Sequence, residues 1–418
     1  MNRLERLVYD RLKANPAFKK AIVGLYQRLL YSIPITRERS RSPLVPRPGA
    51  FFGFHDKCPF SPDGSFLLAH RSEAPLRRPQ EGDTAEIGLY LGEDLLQYRP
   101  LTNTRAWNWQ MGAMLQWVGG SNTLIFNDCA DGALIARRLT HDGAELGALQ
   151  RPVAALSPDG KWAAGHSFCR MRHTVHSAGY AYANGSEPEA DLPLSNKHCV
   201  YTINLADGST QDLFSLQDIA SIAPDDTMQD AFHYFTHCLF SPSGNRFVFY
   251  HRWVQDNNRY WTRMFSCGLD GSDIHLFPTA GFVSHIAWSD ADHILAYCSS
   301  PRFGDGYHLF KDRTDDYALV GQKVFSSDGH PHYSPDGRYI LTDTYPDRFR
   351  RQKLLLFDVK EEILDELAAC KIPFDFRADV RCDFHPRWNR EGTIVCFDSA
   401  HSGTRTLYTM QLKQEESR

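Results

Sequence analysis

What this chain lacks narrows its class before any motif is read. Its ten cysteines (Cys58, Cys129, Cys169, Cys199, Cys238, Cys267, Cys298, Cys370, Cys382 and Cys396) occur singly, with no CxxC pair and no dense framework. That excludes a disulfide-stapled secreted scaffold and points to a reducing compartment. No charge of one sign dominates: 46 Lys and Arg stand against 50 Asp and Glu, a formal charge of -4. The chain therefore has no electrostatic footprint for nucleic acid. No uninterrupted apolar run opens it, because Asp10, Arg11, Lys13, Lys19, Lys20 and Arg28 break every candidate in the first 33 residues, so no secretory signal is expected. No stretch is long and apolar enough to span a bilayer. The expected location is cytoplasmic, with the inner membrane face as the alternative place of work.

What is present is a repeat. Phe60-Ser-Pro-Asp-Gly64, Leu156-Ser-Pro-Asp-Gly160, Phe240-Ser-Pro-Ser-Gly244 and Tyr333-Ser-Pro-Asp-Gly337 are four copies of one turn, and the segments opening at Trp117, Trp288 and Trp388 are three degenerate ones. Pro sets φ, Asp or Ser bonds its own backbone and Gly takes the positive φ, so each copy reads as a tight connection. Each is followed by a β-branched or aromatic run, such as Phe247-Val-Phe-Tyr250 or Ile394-Val-Cys-Phe397, suited to a pleated surface. Seven such units, each of about 40 to 50 residues, predict an all-β, seven-bladed β-propeller. At 418 residues and 42% hydrophobic content it would use residues 49–413 as one domain.

Residues 1–48 read as a helical extension and linker. Leu4, Leu7, Val8 and Leu12, then Phe18, Ile22, Leu25, Tyr26 and Leu29, recur at helical spacing about Pro16, giving amphipathic helices. They would pack on the propeller or a partner, or lie on a membrane surface through their basic residues. Arg37 to Pro48, basic and proline-rich, is predicted to be linker.

Four units place a histidine three residues before the aromatic that opens the turn: His237, His285, His330 and His385. In a radial array the same offset puts these imidazoles at the same place four times, so they are expected to converge. A second polar series follows the turns. His70, His166, Asp343 and Asp398 lie six residues past the turn glycine and His251 lies seven past Gly244, followed by Arg252. Several of these should tie adjacent blades, since buried polar groups need partners. The longest gap between turns holds Phe168 to Tyr182, with Arg170, His173, His176, Tyr180 and Tyr182. Function concentrates on such insertions, and this one reads as a lid offering a phenol and cations to an anionic sugar.

Two metal sites suggest themselves. His330, Asp343, Cys382 and His385, from consecutive units, offer nitrogen, oxygen and sulfur donors for a closed tetrahedral zinc. The ring of His237, His285, His330 and His385 would instead suit manganese or another ion, calcium included, with open positions for a substrate carboxylate.

The stretches Phe51-Phe-Gly-Phe-His-Asp-Lys-Cys-Pro-Phe60, Trp107-Asn-Trp-Gln-Met-Gly112, His251-Arg-Trp253, Gly329-His-Pro-His-Tyr333, Asp343-Thr-Tyr-Pro346 and Asp379-Val-Arg-Cys-Asp-Phe-His-Pro-Arg-Trp388 resemble a family of seven-bladed propellers. That family includes ulvan lyases and proteins encoded with bacterial exopolysaccharide genes. The resemblance implies cleavage of a uronate polysaccharide by β-elimination, with an arginine on the carboxylate, tyrosine and histidines exchanging protons, and a structural zinc. Carried over, Arg252 matches the arginine and His330, Asp343, Cys382 and His385 the zinc set, while His237 stands near the place of the lyase tyrosine.

The candidate catalytic group is accordingly His237, Arg252, Tyr180 and His173, with His285, Tyr182, Trp107 and Arg170 as substrate contacts. The carboxylate must be neutralised before the proton beside it can leave, and a base and an acid must then act. The expected partner is an anionic polysaccharide or oligosaccharide in exopolysaccharide or capsule metabolism. A non-catalytic saccharide-binding or assembly protein is the alternative.

Overall fold

The structure, a computed structural model, describes residues 26–34, 36–171, 187–256 and 259–412. Seven antiparallel sheets follow one another along the chain. Their innermost strands are Ala50–Phe51, Gln116–Trp117, Ala155–Leu156, Phe232–Phe240, Val283–Trp288, His332–Tyr333 and Arg387–Trp388, and these number blades 1 to 7. The protein is the all-β, seven-bladed propeller that the repeats predict.

The turn chemistry works as the motif requires. In blade 1 the Ser61 hydroxyl donates to Asp63 Oδ1 at 2.6 Å and accepts from the Phe66 amide at 2.9 Å, while Gly64 sits at φ +75, where only glycine is unstrained. Ser157 with Asp159 and Ser334 with Asp336 repeat the arrangement. In the degenerate blade 7 copy Asn389 Oδ1 does the same work, accepting from the Thr393 and Ile394 amides at 2.8 Å each.

The predicted linker is corrected: residues 38–40 and 44–48 are strands. Leu44–Pro48 is the outermost strand of blade 7, pairing antiparallel with Thr406–Met410, and Glu38–Ser40 adds a fifth strand to blade 6 beside Ala368–Cys370. Its prolines disguised the first of these. Pro46 and Pro48 share one parity, so both missing N–H groups can face away from the sheet, which an edge strand tolerates. Buried Arg47 locks the closure, donating from Nε to the Leu95 carbonyl at 2.7 Å and from Nη1 to Thr409 Oγ1 at 3.0 Å. The amphipathic helices expected over residues 1–25 lie outside the described residues. Of the extension, residues 26–31 form a helix, and the Lys371 ammonium donates to the Tyr31 carbonyl at 2.7 Å. Among the described residues no helix is long and apolar enough to cross a membrane.

Three members of the polar series after the turns tie neighbouring blades, whereas His251 bonds His233 and Arg263 within its own blade and the His166 ring meets the Ser167 carbonyl. His70 Nε2 accepts from the Ala113 amide at 3.0 Å, and Asp343 Oδ2 accepts from the His385 amide at 3.2 Å. Asp398 accepts from the Phe52 and Gly53 amides at 3.0 and 3.2 Å. Asp398 also pairs with fully buried Arg387 at 2.9 Å, and Arg387 Nε donates to the Phe54 carbonyl at 3.1 Å. This pair fixes residues 52–54, which run into the centre of the propeller.

Backbone irregularities aim the central side chains. The blade 4 ladder shifts register between Thr236 and Cys238, and the blade 5 ladder between Val283 and Ile286. A bulge re-aims the residue it carries, here His237 and His285. His237 and His385 hold φ +56 and +44, a region costing non-glycine residues roughly 1–3 kcal/mol that persists where the surroundings over-determine it. Gly329 precedes His330 because a Cβ there would lie 2.0 Å from the Asp343 carbonyl oxygen, too close for any other residue.

Candidate functional site

Five histidines gather around one phenylalanine between the inner strands. The Phe54 ring centroid lies 4.6 Å from His55, 5.2 Å from His237, 6.0 Å from His285, 6.3 Å from His330 and 5.1 Å from His385. The structure thus brings together the four histidines sharing the three-residue offset. His285 and His330 are 4.0 Å apart, His330 and His385 4.3 Å, and His55 is 5.6 Å from His285 and 5.4 Å from His330.

Each imidazole is oriented through Nδ1. His330 donates to Asp343 Oδ1 at 2.7 Å, His385 to the Gly53 carbonyl at 2.8 Å, and His55 to the Pro331 carbonyl at 3.0 Å. His285 donates to Asp328 Oδ1 at 3.2 Å, and His237 Nδ1 pairs with Thr236 Oγ1 at 2.8 Å. With Nδ1–H spent on an acceptor, the lone pair of a neutral ring sits on Nε2. Burial, then neighbouring positive charge, drives His55, His237 and His385 well below the ordinary imidazole range and lowers His285. His330 is the exception: burial works against its charge, but Asp343 outweighs burial and raises it.

One group of donors stands ready for a cation. Among the described residues, ligand atoms of His330, Asp383 and His385 all lie within 4.8 Å of one another, and all three residues are buried. His330 Nε2 and Asp383 Oδ1 are buried without a hydrogen-bond partner, a costly state that a bound ion would relieve. Asp383 Oδ2 accepts from Arg381 Nε at 2.6 Å.

The expected zinc quartet does not assemble and is corrected here. Successive side chains of an extended segment point oppositely, so Asp383 turns to the histidines. Cys382 turns into an apolar cluster with Phe376, Phe384, Trp388 and Phe397. Burial pushes its thiol up to about 12, leaving it neutral rather than a thiolate ligand. Asp343 is spent on the His330 ring and on the His330 and His385 amides, so it positions ligands.

Arg252 stands near His237, in the same blade, and its charge acts on that imidazole. It is half-buried, donates from Nε to Thr262 Oγ1 at 2.9 Å and from Nη2 to the Val283 carbonyl at 3.3 Å, and has no carboxylate partner among the described residues. Tyr250 connects the two residues: its ring stacks on His237 at 4.9 Å and carries the Arg252 guanidinium at 5.6 Å.

Two expected substrate contacts are structural. Arg170 is fully buried and donates to the carbonyls of Glu189, Ala190, Leu192, Pro193 and His233, so its fork ties the 189–193 segment to blade 4. Trp107 is 1% exposed, donates from Nε1 to the Asp83 carbonyl at 3.1 Å and packs edge-on against Trp109 at 4.8 Å. It has no face for a sugar. Tyr180, Tyr182 and His173 lie outside the described residues.

Sequence reasoning missed His55 and Asp383. His55 stands five residues before its turn aromatic Phe60 rather than three, so the offset rule passed over it. Asp383 lost to its neighbour Cys382 because a thiolate ligand was expected, whereas the thiol is packed in the apolar cluster and the carboxylate faces the histidines.

No protein-family model matches the chain, and no curated protein does. Solved structures do. An oligogalacturonate lyase from Vibrio parahaemolyticus is 12% identical with a TM-score of 0.60, covering 91% of this chain and 99% of its own. An oligogalacturonate lyase in complex with manganese is 13% identical with a TM-score of 0.60, covering 90% and 99%. Neither is an ulvan lyase, the activity that the motifs suggested. At such identities the likeness is one of fold, and it extends over nearly the whole propeller.

Proposed function

We propose that this protein is a uronate-specific lyase that cleaves an anionic polysaccharide or oligosaccharide by β-elimination with the help of a divalent cation. The observation that carries the reading is the pairing of two features at one centre. Imidazoles locked through Nδ1 enclose an unsatisfied nitrogen and carboxylate oxygen, and the Arg252 guanidinium, which has no carboxylate partner among the described residues, stands near His237 of the same cluster. The manganese of one structural neighbour and the oligogalacturonate on which both neighbours act as lyases support it.

His330, Asp383 and His385 would hold the cation, with His285 and His55 beside them. Nitrogen and oxygen donors without thiolate suit manganese better than a closed zinc site. Such a cation supplies positive charge opposite the substrate carboxylate. Arg252 takes that carboxylate in its planar fork. Neutral His237 then accepts the proton from the carbon α to the carboxylate, and the Arg252 charge stabilises the negative charge that develops.

The test is direct. The purified protein, with and without added manganese, is incubated with a panel of uronate polymers and oligomers, and the ultraviolet absorbance of the unsaturated product is followed. Product that depends on manganese supports the reading. Binding of acidic oligosaccharide without product moves the protein to the saccharide-binding or assembly class.

A further inference from the structure

Resting on the lyase reading, one step of the elimination still lacks a residue: the oxygen of the departing sugar must receive a proton. Tyr345, in the stretch Asp343-Thr-Tyr-Pro346, is the phenol that the structure sets beside the cluster. Its ring centroid is 5.5 Å from His330, in an edge-on contact, and 6.4 Å from His285. The residue is partly exposed, and its hydroxyl has no hydrogen-bond partner among the described residues. Buried tyrosines are different here: Tyr201 donates to the Pro152 carbonyl at 2.7 Å and Tyr250 to the Ser284 carbonyl at 3.0 Å. A partly exposed phenol at the edge of a polar cluster, with its hydroxyl uncommitted, can serve a ligand. The Arg381 guanidinium lies 5.4 Å from the centre of the Tyr345 ring, anchored by Asp383, so positive charge stands beside any phenolate formed.

We propose that Tyr345 is a catalytic residue that protonates the leaving glycosidic oxygen. His237 removes the proton from the carbon α to the carboxylate, and the electron pair left behind forms the carbon–carbon double bond. The bond between the β-carbon and the departing oxygen breaks, and that oxygen takes the phenolic proton. The phenolate, held beside Arg381, regains a proton from water, and His237 releases its own, so one sugar with a free hydroxyl and one unsaturated uronate are formed.

The experiment compares wild type and Tyr345→Phe, both loaded with manganese, on two substrates: an oligouronate, whose leaving group is an alcohol, and a uronide carrying an aryl group on the leaving oxygen. An aryloxide departs without protonation. If the proposal holds, Tyr345→Phe loses about 100-fold or more in kcat on the oligouronate, the scale of general acid catalysis, and less than about 10-fold on the aryl substrate. Its melting temperature stays at the wild-type value, since the removed hydroxyl bonds none of the described residues. Equal losses on both substrates, or no loss on either, overturn the role of Tyr345 while leaving the lyase reading intact. A wild type that forms unsaturated product from neither substrate overturns the lyase reading, and this role with it.

Discussion

The imidazole of His285 lies 4.0 Å from that of His330, ring centre to ring centre, and each ring is held from behind by its own aspartate, Asp328 and Asp343. Two cations that close would repel, whereas two neutral rings with paired Nδ1–H groups present lone pairs side by side. The arrangement favours a shared positive guest over two bound protons.

His330→Ala should therefore remove cation binding. At a manganese concentration about 100 times the dissociation constant, a site present only in the folded state adds about 2.7 kcal/mol. Wild type should show a higher melting temperature with manganese than without it, and the variant should show none of this increase. Cys382→Ser should keep the full increase, because the thiol stands in the apolar cluster.

Arg252→Ala should lower turnover of a uronate polymer by about 100-fold or more, the loss expected when a transition-state contact goes. Its stability should change by less than about 1 kcal/mol, since among the described residues Arg252 makes two hydrogen bonds and no ion pair. Arg252→Lys should recover little, because an ammonium cannot take both carboxylate oxygens. Urea denaturation alongside initial rates separates the two effects.

Asp398→Ala should do the reverse. It leaves fully buried Arg387 without its carboxylate and frees the Phe52 and Gly53 amides, so the loss should be roughly 3–5 kcal/mol. Denaturation would show it directly. Arg170→Met should likewise lower stability without a specific effect on substrate affinity, given that among the described residues its guanidinium hydrogen-bonds backbone carbonyls and lies over the Phe232 ring.

Acid should unfold the protein through its buried histidines. Burial pushes His70 from 6.5 down to about 3 and His166 down to about 4. His70 Nε2 moreover accepts from the Ala113 amide and cannot keep that bond when protonated. A depressed folded pKa contributes stability that is complete above pH 6.5 and lost as pH falls towards the folded value. Each such histidine should add roughly 1.4 kcal/mol per pH unit to that loss. Melting temperature measured from pH 7 to pH 4 should fall steadily, and less steeply for a His70→Gln variant that folds.

The sequence by itself determined the scaffold and the meeting of four imidazoles. Ser, Pro, Asp and Gly at fixed places dictate a turn through local bonds alone, and a radial repeat converts equal offsets into convergence. It also foretold that some of the polar residues after the turns would tie blades, because a polar residue at the buried end of a strand must find a partner; the structure decided that His70, Asp343 and Asp398 do so. Only the tertiary structure decided the rest. That Pro46 and Pro48 lie in a strand depended on Leu44–Pro48 finding the open edge of blade 7, some 360 residues away. Whether Cys382 or Asp383 faces the histidines was a matter of how the segment entering blade 7 is turned, with the thiol in the apolar cluster and the carboxylate at the imidazoles. His55 and Tyr345 stand at offsets from their turns that no other unit shares, and they reach the cluster because residues 52–54 are pinned by Arg387 and Asp398 and because blade 6 delivers Tyr345 beside His330. Arg170 and Trp107 looked like ligands for a sugar in one dimension, but burial had already matched them to carbonyls of their own chain.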